Sequence, residues 1–214
     1  MQLASIPQAL AVIAQGGMVI VVDDEDRENE GDIVMAAQFA TPEHVNFMVS
    51  ECRGLVCAPL SCQYAERFDL PMMVRNNTES MGTAFTVSVD YIPGTTTGIS
   101  ASDRALTLQA LASFETQPAQ FARPGHIFPL IARPGGVLER PGHTEAAVDL
   151  AILAGLAPAG VICEILQKDG SMARRPDLEL FADTHGLLII SIADLVAWRH
   201  RYKRVSQQQQ SLVA

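Results

Sequence analysis

Lysine is nearly absent: Lys168 and Lys203 are the only two in 214 residues. Lysine and arginine together number 15 against 24 aspartates and glutamates, a formal charge of −9 at pH 7. A nucleic-acid backbone needs a basic face, so the acidic balance argues against a general nucleic-acid binder. Long hydrophobic runs are missing too. The stretches 18–22 and 187–193 fall far short of the roughly 20 apolar residues that cross a bilayer, so no membrane span is expected. The start, MQLASIPQAL, has no basic segment and no long apolar core, so it does not read as a secretory signal. Cys52, Cys57, Cys62 and Cys163 form no C-x-x-C pair, which disfavours a zinc ribbon and suits a reduced, cytoplasmic chain with buried thiols. Charged residues are only 18% and apolar residues 48%, which rules out wholesale disorder and leaves enough apolar surface for a sizeable core.

What is present alternates between strand-like and helix-like segments. Helices are expected at 4–15, 41–52, 61–68, 104–114, 144–155, 176–184 and 192–203. Thr41-Pro42 and Ser61 mark helix starts, Ser102-Asp103 is a third cap, and Gly54 and Gly186 mark helix ends. Strands are expected at 18–22, 33–37, 55–58, 83–90, 126–132, 160–166 and 187–191. The segment 83–90, TAFTVSVD, alternates as a half-buried strand does. No Ser/Gly/Pro-rich linker divides the chain. The expectation is one α/β domain over 1–204, a mixed sheet flanked by helices, with a low-complexity tail at 205–214 expected to be disordered.

Four features carry chemistry. The run DDEDRENEGD, residues 23–32, holds seven carboxylates in ten residues directly after a buried strand. Crowded carboxylates repel one another unless a cation neutralises them, and hard oxygen ligands suit Mg²⁺ or Mn²⁺ rather than zinc. The end of a buried strand is where α/β sheets place ligands; a solvated surface loop is the alternative. Three Arg-Pro-Gly tetrapeptides begin at Arg123, Arg133 and Arg140, and each reads as a type II turn with glycine at positive φ. Around the third, Arg140 suits a phosphate, Gly142 permits close approach, and His143-Thr144 stands where a helix begins. The alternative is three plain turns with incidental histidines at His126 and His143. The hydroxyl-rich TTTGISASDR, residues 95–104, suits a phosphate or a sugar, or is an ordinary capped turn. Glu164 lies inside the apolar strand GVICEIL, where a carboxylate is costly unless paired, functional or facing solvent. Together these features describe a small enzyme that uses a hard divalent cation on a phosphorylated or polyhydroxylated small molecule.

The strings VVDDEDRENEGD, NNTESMGTAFTVSVD, TTTGISASDR, RPGHIFPL, ERPGHTEAAVDLAILAG and PAGVICEI, in that order, resemble the 3,4-dihydroxy-2-butanone 4-phosphate synthase family over about residues 6–200. The resemblance implies the family's own α/β fold. It implies a lyase of riboflavin biosynthesis that converts D-ribulose 5-phosphate to 3,4-dihydroxy-2-butanone 4-phosphate and formate. It also implies Mg²⁺ (or Mn²⁺), two ions per site, and a cytoplasmic homodimer with sites at the subunit interface. Carried over residue by residue, Arg27, Glu28, Asp32, Arg140, Pro141, Gly142, His143, Thr144 and Glu164 bind substrate. Glu28 and His143 ligate metal, and His126 and Glu164 are catalytic. The loop 95–104 corresponds to the family's phosphate-side segment. The family's usual Arg-Gly-Gly-His-Thr is Arg140-Pro141-Gly142-His143-Thr144 here, so the N–H at position 141 is lost. Without clustered zinc cysteines or residues for a second domain, the chain reads as the monofunctional form. The competing readings are another metal-dependent sugar-phosphate isomerase or aldolase-type lyase, and a cation-binding domain without turnover.

Overall fold

The run VIVV forms β1 (Val19–Val22), and all four of its side chains are buried. A strand buried on both faces needs layers on both faces. The computed structural model, which describes residues 3–201, supplies them. In chain order the elements are α1 (Ile6–Ala14), β1, β2 (Gly31–Ala36), α2 (Pro42–Phe47), β3 (Cys57–Leu60), α3 (Cys62–Arg67), β4 (Val89–Tyr91), α4 (Ala101–Ala112), β5 (Phe121–Ile131), α5 (His143–Leu153), β6 (Gly160–Glu164), α6 (Arg175–His185), β7 (Leu188–Ser191) and α7 (192–201). The strands make one sheet in the order β4-β5-β3-β6-β2-β1-β7. The pairs β1–β7 and β3–β5 are parallel, and the others are antiparallel. The chain therefore builds the expected α/β domain with a mixed sheet flanked by helices. The expected tail, 205–214, lies outside the described residues.

Alternate residues of each central strand feed two cores. Ile20, Val22, Ile33 and Met35 pack with Val45 of α2 and with Leu108 and Leu111 of α4. Val19, Val21 and Val34 pack with Ile13 of α1 and Leu150 of α5 on the other face. Helix α5 departs from a simple stripe, because every residue from His143 to Ala151 is buried. Its two acidic residues are satisfied internally. Asp149 pairs with Arg199 of α7 and accepts the Val137 N–H at 3.0 Å. Glu145 accepts from Arg133 and Arg140. A buried carboxylate is tolerated only with such partners.

Several local expectations give way to neighbours in the sheet. Of 83–90, only the end joins β4, while Phe85 and Thr86 make single bridges. The opposing strand β5 carries Pro124 and Pro129, which have no N–H to continue a ladder. Thr86 and Ser88 turn inward, where Thr86 bonds Pro129 O at 3.0 Å through its N–H and Ser88 Oγ accepts the Gly125 N–H at 3.1 Å. Residues 123–126 run inside β5 instead of turning, as the bulge in its ladder with β4, where the Gly125 and His126 N–H groups are bound by the Ser88 and Asp90 side chains. In the second tetrapeptide, Gly135 has φ −75° and the positive φ falls on Gly136. In the third, Gly142 is the extended N-cap of α5, with φ −116°. The ladder at β3 begins at Cys57 rather than Leu55, in register with Phe128 of β5. Helix α2 continues through a π-helical turn, Met48–Cys52, and ends on Arg53 at φ 69° rather than on Gly54.

Helix α4 begins one turn earlier than expected. Ser100 is its N-cap and accepts the Asp103 N–H at 3.0 Å. Ser100→Ala is expected to cost about 1 kcal/mol, read as a lowered urea midpoint with an unchanged slope.

Candidate active site

Strand β2 sets Asp32 directly across from Glu164 of β6. Both line a cavity of about 190 Å³ at the ends of β1, β2 and β6. The acidic segment after β1 folds over this cavity because Asp23 organises it. The Asp23 side chain is fully buried; it accepts from Arg27 Nη1 (2.9 Å), Glu28 N (3.0 Å) and Glu30 N (2.8 Å). Arg174 ties the same segment from outside by donating to the carbonyls of Glu28 and Asn29. Arg27 and Glu28 are thereby set side by side, 2.5 Å apart.

Helix α5 brings His143 to the same place. Its Nε2 lies 3.2 Å from Val21 O, an acceptor only, so Nε2 carries the proton. That leaves Nδ1, 3.4 Å from Glu28 Oε2, as the nitrogen that faces Glu28, while Asp32 Oδ1 lies 3.9 Å from Nε2. A ligating histidine fixed through its other nitrogen is the usual arrangement at metal centres. Asp32 is 2% exposed, and its Oδ1 has no hydrogen-bond partner among the described residues. Burial pushes its carboxyl up to about 7, against the pull of His143 and with added repulsion from Glu164 and Glu28. Burial alone would lower His143; the neighbouring Asp32, Glu28 and Asp23 outweigh it and raise the imidazole to about 9. The contact with His143 holds Glu28 below the ordinary carboxylate range.

Ligand atoms of Asp23, Glu28 and His143 lie within 4.8 Å of one another. Because both Asp23 oxygens already accept internal bonds, Glu28 and His143 are the available ligands. Carboxylate oxygen with one imidazole fits a hard divalent cation, and the orphaned Asp32 Oδ1 is a further acceptor in the same cavity wall. Glu164 is aimed by Gly54: its Oε2 accepts the Leu55 N–H at 2.8 Å, and a Cβ at Gly54 would strike the Glu164 backbone and carboxylate.

Of the residues carried over from sequence, Arg27, Glu28, Asp32, Arg140, His143, Thr144 and Glu164 line this one cavity. Gly142 is buried beneath it and Pro141 is exposed. His126 is not in its wall. It lies on β5, bound through Nδ1 to Asp90 Oδ2 at 2.7 Å and through its N–H to Asp90 Oδ1 at 2.8 Å. The hydroxyl loop 95–104 is also outside the cavity, and its N–H groups at Thr96 and Gly98 are taken by Asp103. Sequence reasoning passed over Asp23, Gly54, Asp90, Glu145 and Arg174 as positioning groups. Only Glu145 had a visible signal, a carboxylate among apolar residues in HTEAAV.

Comparison with known proteins accords with this geometry. The family model for 3,4-dihydroxy-2-butanone 4-phosphate synthase matches residues 7–198. The 3,4-dihydroxy-2-butanone 4-phosphate synthase of Agrobacterium fabrum is 60% identical over 92% of this chain and 93% of its own length. The riboflavin biosynthesis protein RibBA of Aquifex aeolicus is also 60% identical, but the chain spans only 49% of it. Among solved structures, a 3,4-dihydroxy-2-butanone 4-phosphate synthase in complex with two magnesium ions is 44% identical, with TM-score 0.89 over 94% of this chain and 98% of that one. The sheet, the Glu28–His143 pair and these matches agree, and the chain belongs to the 3,4-dihydroxy-2-butanone 4-phosphate synthase family.

Proposed function

We propose that this chain converts D-ribulose 5-phosphate to 3,4-dihydroxy-2-butanone 4-phosphate and formate, supplying a four-carbon unit for riboflavin. The observation that carries the reading is the single cavity holding Glu28, His143, Asp32 and Glu164 together with two arginines. The substrate and the two products have the same summed composition, so the water lost in one step returns in another and no redox partner is needed. Magnesium or manganese, two ions per site, held by Glu28 and His143, would polarise the substrate ketone and stabilise negative charge developing on its oxygen. The chain's own residues do the rest. Arg27 and Arg140 supply fixed cationic donors for the phosphorylated, hydroxylated substrate. Asp32, buried and poised near neutrality, accepts from sugar hydroxyls. Glu164, held by the Leu55 N–H, is a carboxylate placed to hold or move a proton next to the ketone. Pro141 is exposed and off the cavity wall, so the missing N–H there is compatible with turnover.

The reading extends to a cytoplasmic homodimer whose second copy completes each site. His126 with Asp90, and the loop 95–104, lie outside this chain's own cavity; in this reading they face the cavity of the other copy. The four cysteines are free, three of them buried, in keeping with a reducing compartment. Among the described residues no helix is long and apolar enough to cross a membrane.

Formate measured after addition of D-ribulose 5-phosphate tests the reaction. Release with Mg²⁺ and none with excess EDTA is expected; formate unaffected by EDTA, or none with Mg²⁺, overturns it. Magnesium binding is expected to be proton-linked. His143 holds its proton up to about 9, so the ligand nitrogen must compete with that proton below this value. Calorimetric affinity is expected to tighten from about pH 6 to about pH 9, by up to about tenfold per unit where one proton is displaced. An affinity flat across that range contradicts the ligand assignment.

A further inference from the structure

Arginine 140 does not stand freely in the cavity wall; it is held at every nitrogen. Nη1 donates to Glu145 Oε2 at 2.7 Å. Nη2 donates to Met81 O at 3.2 Å and to Thr83 Oγ1 at 3.1 Å, and Nε donates to Met81 O at 3.3 Å. Glu145 is 1% exposed and has no place in the cavity wall. Its other oxygen accepts the Arg133 N–H at 3.0 Å. The carboxylate therefore reaches Arg140 from behind, out of the first turn of the helix that also presents His143.

Gly142 explains how the groups fit. A Cβ there would lie 2.5 Å from Arg140 Nη1, 2.9 Å from Arg27 Nη2 and 3.1 Å from Glu145 Oε2. Two guanidinium groups thus flank one bare stretch of backbone. Like charges so close repel, and the buried Glu145 offsets that repulsion from the inner side. Without it, Arg140 has only neutral acceptors and a cationic neighbour, and no reason to stay where an anionic substrate would meet it. The segment 81–83 is coupled to the same strut, since its carbonyl and hydroxyl are bound by the guanidinium.

We propose that Glu145 is a positioning residue for substrate binding: it fixes Arg140 beside Arg27 and, through Arg140, holds the 81–83 rim of the cavity. The proposal rests on the reaction assigned above.

The test is steady-state formate release from D-ribulose 5-phosphate by Glu145→Gln and Glu145→Asp in the full chain, with Arg140→Met as the coupled variant. Glu145→Gln is expected to raise KM by about tenfold or more while kcat falls less than about threefold, with Mg²⁺ affinity unchanged. Glu145→Asp, which keeps the charge, is expected to fall between Glu145→Gln and the parent protein. In the Arg140→Met background, Glu145→Gln is expected to add less than about twofold to KM, because its only route to the substrate is gone. A merely structural role predicts lowered thermal stability with an unchanged KM, and that result overturns the proposal, as does a KM effect fully additive with Arg140→Met. Removing one partner of a buried pair is costly. Should Glu145→Gln fail to fold, Glu145→Asp and the charge-balanced double variant give the same readings. If the parent protein releases no formate, the assigned reaction fails by itself. Calorimetric titration with D-ribulose 5-phosphate then decides the pair: a tenfold weaker affinity in Glu145→Gln supports it and equal affinity overturns it.

Discussion

Glu28→Gln and His143→Ala are each expected to reduce metal-dependent formate release by about 10³-fold or more, with far-UV circular dichroism unchanged. The two side chains face each other at 3.4 Å in the cavity wall, and His143 Nε2 lies a further 3.9 Å from Asp32 Oδ1. The variants differ in their structural cost. The Glu28 side chain is 26% exposed, and in Glu28→Gln an amide oxygen can still accept from Arg27. His143 is buried, and its removal leaves the Val21 carbonyl without its side-chain donor, at about 1–3 kcal/mol. A melt and an activity assay on both variants therefore separate chemistry from stability. Turnover near the parent level in Glu28→Gln, whose fold is least at risk, would remove Glu28 from the metal centre.

Asp90→Asn is expected to lower kcat by about 10²-fold or more through His126. Both Asp90 oxygens are committed to His126, one to the backbone N–H and one to Nδ1. A carboxylate there only accepts, so it keeps the proton on Nδ1 and leaves the Nε2 lone pair directed outward from a ring that is 42% exposed. An amide turned to donate instead would force the opposite tautomer. Two glycines make the contact possible: a side chain at Gly98 would meet the Asp90 carboxylate, and one at Gly125 would meet the backbone between Val89 and Asp90. Because this dyad lies outside its own chain's cavity, its effect also reports on assembly. If the chain pairs as the proposed homodimer, mixing inactive His126→Ala with inactive Glu28→Gln is expected to restore up to about a quarter of the parent activity, since half of randomly paired dimers would be mixed and each would carry one intact site. No recovery, with exchange of subunits demonstrated, would place His126 and Glu28 outside a site shared between copies.

Much of the frame was legible from local pattern. The all-apolar VIVV suits a strand covered on both faces, and it is one. Thr41-Pro42 and Ser61 cap the helices expected of them, and Gly186 ends α6 at φ 67°. The acidic run was visible as a site because it follows that strand, but which of its carboxylates do what was not. Asp23 is spent on holding the turn, Glu28 meets His143, and Asp32 is buried opposite Glu164. The order of motifs identified the family, and the run of Ala and Leu after His143 identified a helix.

The tertiary structure alone decided the rest. Local conformation follows from groups a few residues apart, so caps, turns and periodicity can be read along the chain. A site follows from register between segments distant in the chain, and no local pattern specifies that register. Asp32 and Glu164 meet only because β2 pairs with β6. The alternation of 83–90 was real, yet the face turned inward carries Thr86 and Ser88, and ahead of β4 the segment makes only single bridges. Gly54 read as a helix end, and Glu164 made it a point of close approach. Glu145 looked like an anomaly in an apolar helix until Arg140 was folded against it. Sequence by itself determined the fold class, the family and the cast of charged residues; only packing decided which of them are unsatisfied at the cavity, because a charge acts through whatever partner the fold leaves it without.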